Sequence, residues 1–185
     1  MALAEWAEAT ARSLLGDPLP RRWAHTQGVA ATARTLAGAL GKDADLIVAA
    51  AWLHDIGYSP AIVVTGFHPL DGARHLRDAE RASDLLCRLV ANHTAASTEA
   101  GERGLAADLG REFPLPPRDL DDALCYCDMT TGPDGQPMTA SQRLAEILSR
   151  YGPDDPVHKA ISAASPHLTD AVARVARRLS SQQQP

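Results

Sequence analysis

The chain has 185 residues, enough for one domain with a hydrophobic core; 45% of them are apolar and only 4% are aromatic. The formal net charge is −5, so no overall positive charge attracts nucleic acid or a membrane surface. No run reaches the roughly 18 apolar residues that a membrane-spanning helix needs, and the acidic, amphipathic start does not resemble an export signal. We therefore expect a cytoplasmic protein that has neither nucleic acid nor a membrane as its partner.

Apolar residues recur at helical spacing along the chain, and no alternating strand pattern persists, which predicts an all-α fold. We expect a single domain over residues 1–179, a loop over 56–66, a mobile flap or short broken helix over 94–117, and a disordered tail over 180–185. Pro166 should kink or divide the last helix. The predicted helices cover residues 2–15, 21–40, 43–54, 68–77, 79–92, 119–128, 139–150 and 156–179.

An apolar helical run from Ala49 to Leu53 ends on the adjacent pair His54 and Asp55. An imidazole beside a carboxylate is what a divalent cation needs, and the apolar helix supplies rigid support. Core helices of a bundle that end at a common depth bring their terminal side chains together. The other polar side chains at the ends of predicted helices are His25, His68, His93 and Asp128.

Four imidazoles and two carboxylates suit Fe, Mn, Co, Ni or Zn better than Ca²⁺ or Mg²⁺. Six ligands are too many for one open catalytic ion, so we expect two divalent ions with Asp55 between them. Such a pair can clamp a phosphoryl group and activate a bridging water as the nucleophile. A histidine at a helix end is more often a cap or a satisfied polar group, and we interpret His75, His158 and His167 in that way.

The order His25, His54-Asp55, Asp128 resembles the HD superfamily of metal-dependent enzymes, which is named for the His-Asp pair. His68 and His93 match the two further histidines of the subgroup that binds two metals. The resemblance covers roughly residues 20–132 and implies an HD-domain bundle of about five core helices, to which this chain adds an N-terminal helix and a C-terminal helical extension over 139–179. We expect His25, His54, Asp55 and Asp128 to hold one ion, and Asp55, His68 and His93 to hold the other.

Three short patterns are similar to bacterial HD enzymes that cleave diadenosine tetraphosphate symmetrically: Arg22-x-x-His25-Thr-x-Gly-Val, His68-x-x-x-Gly72-Ala and His93-Thr94. Arg22 lies one helical turn before His25, so its guanidinium could hold a phosphate. Gly72 leaves room for a close approach of the backbone. This chain differs from that group in two places. The group commonly has a lysine shortly after the His-Asp pair, where this chain has Gly57-Tyr58. The group also commonly has basic residues after the last Asp, whereas residues 129–135 of this chain contain none.

We therefore expect a phosphohydrolase that cleaves a phosphate ester or anhydride of a small nucleotide-like substrate, with His54 and Asp55 as catalytic residues and Arg22 as a substrate-binding residue. The alternative is a mixed-valent di-iron oxygenase that cleaves a C–C or C–P bond, as myo-inositol oxygenase does with the same ligand set. The few cations near the metals and Tyr58 keep that alternative open. A regulatory module without turnover would show an eroded ligand set, and this set is intact. The C-terminal helices could pack on the bundle or form the face of a homodimer.

Overall fold

A computed structural model describes residues 2–182, which form helices and a single isolated antiparallel bridge between Thr131 and Pro137. Within this part of the chain there is no β-strand, so the predicted all-α class is confirmed. None of its helices is both long and apolar enough to cross a membrane. The α-helices are α1 (Leu3–Leu15), α2 (Pro20–Thr35), α3 (Ala37–Leu40), α4 (Ala44–Leu53), α5 (His68–Asp78), α6 (Asp84–Asn92), α7 (Ala96–Glu102), α8 (Ala106–Glu112), α9 (Arg118–Met129), α10 (Ala140–Arg150) and α11 (Pro156–Gln182).

Helix α4 is the centre of the bundle. Every residue from Ile47 to Leu53 is buried. This stretch is apolar on all sides, and a helix of that kind is stable in water only when the fold surrounds it. It contacts α1, α2, α6 and α9. The polar pair His54-Asp55 follows directly at its C-terminal end and is therefore placed deep in the protein, each side chain being only 1–2% exposed.

The C-terminal helices pack back on this bundle. Helix α11 lies against α9 and α7, and α10 lies against α11. Ile147, Ile161 and Leu168 form a second apolar cluster with Met129 of α9. This cluster places α10 and α11 beside the end of α9 that carries Asp128. The expectation of a homodimer stays a prediction.

Several predicted boundaries were wrong. Helix α6 begins at Asp84 and not at residue 79, because Arg81 takes a positive φ of 55° and Ser83 caps the helix by accepting from the Leu86 N–H. Segment 94–117, by contrast, contains the two short helices α7 and α8, which agrees with the expected broken helix. Helix α11 is not divided at Pro166, which lies on an exposed face where water can satisfy the carbonyl group it leaves unpaired. That helix includes residues 180–182 of the expected tail, and 183–185 lie outside the described residues.

A close backbone contact fixes the start of α5 against the end of α4. Ile56–Tyr58 forms a 3₁₀ turn, and a Cβ atom placed on Gly57 would lie 2.0 Å from the carbonyl oxygen of His68 and 2.7 Å from the amide nitrogen of Gly72. The expected role of Gly72 is thus confirmed, with Gly57 as its partner. The loop before α5 is held by buried Asp71, whose carboxylate accepts from the amides of Val64, Thr65 and Gly66 at 3.0–3.1 Å.

We expect Gly57→Ala to lower the free energy of unfolding by about 3 kcal/mol, because the added methyl group meets rigid backbone and not a flexible side chain. Chemical denaturation checks this value. Gly110→Ala is the matched control: nothing lies within 4 Å of a Cβ at Gly110, inside α8, so it should be neutral or stabilise the protein by up to about 1 kcal/mol. Equal stabilities of the two variants would contradict the proposed contact.

An ion-pair network ties α8 to α5. The Glu112 carboxylate accepts from Arg74 Nε at 3.0 Å and from Arg77 Nη1 at 2.9 Å, and these bonds lower the pKa of Glu112 from 4.5 to about 2. A carboxylate with a lowered pKa in the folded state stabilises the fold above its unfolded pKa. That contribution is lost as the pH falls from about 4.5 towards 2.

Glu112→Gln should therefore lower the free energy of unfolding by about 1 kcal/mol at pH 7, and the difference from the wild type should shrink as the pH falls below 4.5. Urea denaturation at a series of pH values measures it. Glu102→Gln, on an exposed position of α7, serves as the control and should change little. A difference that is constant with pH would show that the network does not depend on the Glu112 charge.

Candidate metal centre

The six predicted ligands meet in one buried place. Their donor atoms form two groups, and within each group they lie within 4.8 Å of one another. One group is His25, His54 and Asp128, and the other is Asp55, His68 and His93. All except partly buried His68 are buried. The ligands come from α2, α5 and α9 and from the residues that follow α4 and α6.

Backbone carbonyl groups at helix ends orient two of the histidines. His54 Nδ1 donates to the Ala51 carbonyl at 2.8 Å, and His93 Nδ1 donates to the Val90 carbonyl at 2.6 Å. A carbonyl oxygen only accepts, so each Nδ1 must carry the proton. In the neutral ring the lone pair is then on Nε2, which faces the centre of the site, as in metal-ligating histidines.

His25 is oriented across the fold by the turn that follows α9. Its Nδ1 donates to the Gly132 carbonyl at 2.9 Å, and its Nε2 lies 3.1 Å from Asp128 Oδ1. This turn lies directly against α2, since a Cβ atom on Gly28 would be 2.5 Å from the carbonyl oxygen of Gly135. A Cβ atom on Gly135 would likewise lie 2.5 Å from the carbonyl oxygen of Ala24. Gly28 of α2 and Gly135 of the turn therefore allow the contact that positions His25.

Asp55 lies between the two groups. Its Oδ1 is 3.4 Å from His68 Nε2, while its Oδ2 is 3.2 Å from His54 Nε2 and 3.9 Å from His25 Nε2. The Oδ2 atom also accepts from Arg22 Nη1 at 2.8 Å. One carboxylate oxygen thus faces each group, an arrangement that allows Asp55 to contact two ions at once.

The charge states of four ligands, Asp55, Asp128, His68 and His93, suit a cation, whereas Asp55 raises the pKa of buried His54 against the effect of burial. Burial alone would raise the pKa of Asp55, but Arg22 and the neighbouring histidines hold it well below its usual range. His25 similarly holds the pKa of Asp128 low against the effect of burial. Burial lowers the pKa of both His68 and His93, so both rings are neutral near pH 7 and can act as ligands.

Two further observations test whether a metal fits these residues. Among the described residues, buried His54 Nε2 has no hydrogen-bond partner, although it lies near Asp55. His68 Nε2 and His93 Nε2 face each other at 3.2 Å. Nitrogen ligands about 2.0–2.1 Å from one ion stand roughly 3 Å apart, so this separation matches a shared ion. The two groups are therefore consistent with a two-metal centre.

Thr94 supports Asp128 from the opposite side. Its hydroxyl donates to Asp128 Oδ2, and its backbone has a positive φ of 52°. A β-branched residue rarely adopts this conformation, and such strain is typical of functional sites. The hydroxyl fixes the carboxylate so that its other oxygen faces His25.

Tyr58 follows the His-Asp pair, and its ring forms part of a stack. The Tyr58 ring lies 3.9 Å from the His68 ring at an interplanar angle of 17°, and the Arg22 guanidinium is 4.0 Å from the Tyr58 ring centre. Tyr58 is thus held between a predicted metal ligand and the predicted substrate-binding arginine. The stack restricts both of these side chains.

A cavity of about 70 Å³ opens on the ligands and is lined partly by the C-terminal helices. Arg143 and Arg150 of α10 line it together with Arg22, so the expectation that few cations lie near the metals was wrong. The glutamate between them fixes both: Glu146 accepts from Arg143 Nη1 at 2.7 Å and lies 2.8 Å from Arg150 Nε. The spacing 143, 146, 150 shows that these residues share one face of α10, but it does not show which face meets the cavity.

The remaining histidines lie outside the two groups. His75 Nε2 is 3.6 Å from Glu80, and His158 Nδ1 donates to the Tyr151 carbonyl. His167 borders a separate surface cavity. His158 and His75 thus have polar partners, as expected of satisfied polar groups, and the same interpretation of His167 stays a prediction.

Comparison with known proteins gives the family. The model of the HD domain family matches residues 22–151, more than half of the chain, and this match includes α10. No curated protein and no solved structure shows a significant match. With its His-Asp pair at the end of the central helix, the chain belongs to the HD domain family.

Proposed function

We propose that this protein is a metal-dependent phosphohydrolase that cleaves a phosphate ester or anhydride of a small, nucleotide-like substrate. The observation that carries the proposal is the position of Asp55, which presents one carboxylate oxygen to each of two buried ligand groups. Membership of the HD domain family supports it.

In this proposal His25, His54, Asp55 and Asp128 hold one ion, and Asp55, His68 and His93 hold the other. The nitrogen-rich donor set favours Fe, Mn, Co, Ni or Zn. When bound, two such ions supply Lewis acidity, lower the pKa of water and neutralise the charge that develops on a phosphoryl group.

The protein side chains contribute orientation and charge. Arg22 lines the cavity, where its guanidinium can donate two parallel bonds to a phosphate. Arg143 and Arg150 add two further positive charges from α10. The cavity of about 70 Å³ has room for a phosphoryl group and a few water molecules but not for a whole nucleotide. The remainder of the substrate therefore has to extend outwards.

The oxygenase alternative has lost one of its two supports. It depended on few cations near the metals and on Tyr58, and the structure places three arginines at the cavity. Cationic side chains that can bind phosphate favour phosphoryl chemistry. We therefore favour hydrolysis.

The test is phosphate release from p-nitrophenyl phosphate and a panel of nucleotides, with metal analysis of the same preparation. We expect two ions per chain and turnover with Mn²⁺ or Co²⁺ that persists without O₂. Asp55→Ala should reduce turnover at least about 1,000-fold and lower the metal content, since it removes a ligand of both ions. Asp108→Ala, at a partly exposed position of α8 that does not line the cavity, should match the wild type.

Full activity of Asp55→Ala would exclude this scheme. Turnover that requires O₂, together with a mixed-valent Fe(II)/Fe(III) signal in electron paramagnetic resonance that changes on adding substrate, would instead establish the oxygenase.

A second prediction concerns Tyr58. Because its ring stacks on His68, we expect Tyr58→Ala to weaken binding of the second ion by about 10-fold or more, with little effect on the first ion. Tyr58→Phe retains the stacked ring and is the control. Calorimetric titration of the metal-free variants with Mn²⁺ measures both affinities, and equal second-ion affinities for the two variants would show that the stack does not position His68.

A further inference from the structure

A second cavity lies beside the metal centre, on the side of α2 and α10. Its volume is about 300 Å³, at the lower end of the range for sites that bind small molecules. It shares Arg22, His25, Arg143 and Arg150 with the smaller cavity that opens on the ligands. The two cavities are therefore neighbours that are lined by the same side chains.

The lining of this second cavity, which we call the arginine groove, is rich in arginine. It contains four arginines, Arg21, Arg22, Arg143 and Arg150, and none of the described residues that line it carries a carboxylate. Each arginine is paired with a carboxylate outside the lining. Four guanidinium groups that line one groove can still offer their remaining N–H donors to an anionic ligand.

The arginines are held in place by acidic partners outside the lining. Arg21 Nε donates to Asp134 Oδ1 at 2.8 Å, and Glu146 contacts both Arg143 and Arg150. Such pairs already restrict the long arginine side chains, so that less side-chain entropy is lost when a ligand binds. The guanidinium groups keep further donors for an anion, since each has five N–H bonds.

Arg143 is the least exposed of these arginines. It is only 4% exposed, and its Nε has no hydrogen-bond partner among the described residues. A buried donor without a partner costs free energy. Because it is so deeply buried, Arg143 lines the groove in a restricted position.

Apart from His25, the other residues of the lining are apolar. They are Pro18, Leu19, Pro20 and Pro133. A ligand for the groove should therefore combine an anionic group with a compact apolar part. A simple inorganic anion would leave these apolar side chains exposed to water.

From this geometry we infer that the substrate carries a second anionic group, a phosphate or a carboxylate, which the arginine groove binds while the first phosphate lies at the metal centre. Arg150 and Arg21 are then specificity-determining residues. The inference rests on the proposed phosphohydrolase function, because it takes the metal centre as the site of the scissile phosphate. It also explains how a substrate larger than the inner cavity is accommodated.

The test compares ligands with one and two anionic groups. Alkyl monophosphonates, α,ω-bisphosphonates with one to four methylene groups, and the matching phosphonocarboxylates are titrated by calorimetry into Mn²⁺-loaded protein freed of unbound ions. We expect at least one dianionic chain length to bind about 10-fold or more tightly than its monophosphonate. The bisphosphonate and phosphonocarboxylate series show which second anion is preferred.

Arg150→Gln and, separately, Arg21→Gln should each reduce that ratio by several-fold. Arg178→Gln is the matched control. Arg178 of α11 is also paired with an acidic residue, Asp119 of α9, but it does not line the groove. Binding that arose only from chelation of the ions would be equal in all three variants. Arg21 is exposed, so its variant should fold even if Arg150→Gln does not.

Equal affinity for ligands with one and two anionic groups, or a ratio that neither variant changes, would overturn the inference. Hydrolysis of p-nitrophenyl phosphate is measured on the same preparations. Hydrolysis without a preference for dianions would refute the role of the groove in substrate binding but would leave the proposed function intact. A preference for dianions without any hydrolysis would support the groove as an anion-binding site and would refute the proposed phosphohydrolase activity.

Discussion

Unpaired carbonyl groups at the ends of two buried helices control the geometry of the metal centre. The last turn of a helix has carbonyl groups without intrahelical partners, and in α4 and α6 the histidine directly after the helix donates its Nδ1–H to one of them. This bond satisfies a buried polar group and also directs Nε2 beyond the helix end. A ligand located one turn earlier would lack this acceptor, because its carbonyl neighbours would already be bonded within the helix. The end of an apolar helix is therefore a favourable position for a rigid histidine ligand.

The buried carboxylates set the second constraint. Asp55 and Asp128 are almost fully buried, and buried charges are costly unless they are compensated. Arg22 contacts Asp55 directly, and Arg143 Nη2 lies 3.6 Å from Asp128 Oδ1. The same arginines line the cavities that a substrate would enter. Under the proposed function, electrostatic support of the ligands and recognition of an anion would thus be linked through shared side chains, so a substitution at either arginine should affect both.

Five of the six ligands could be predicted from the sequence because they lie at or next to the end of a helix, where position along the helix already implies depth in the bundle. His54, His93 and Asp128 are the clearest cases. His25 is the exception, since it lies in the second turn of α2 and not at its end. The arginines of α10 could not be predicted as part of the site, since Arg143, Glu146 and Arg150 have the spacing of an ordinary solvated helix face. Only the packing of α10 and α11 on α9 brings that face to the cavity. The start of α6 was missed for a local reason, the positive φ of Arg81. An arginine side chain does not predict such a backbone conformation.

Tyr58 shows how the site is built without a cation directly after the His-Asp pair. Its flat ring lies between His68 and Arg22, where a lysine would place a flexible charge beside the second ligand group. The cations come from another direction, because α10 contributes Arg143 and Arg150 to the cavity. An arginine on a helix face is better suited than a flexible lysine to bidentate recognition of a phosphate. Under the proposed function, these arginines would bind an anion on the side of the arginine groove, which is consistent with a substrate that extends out of the inner cavity.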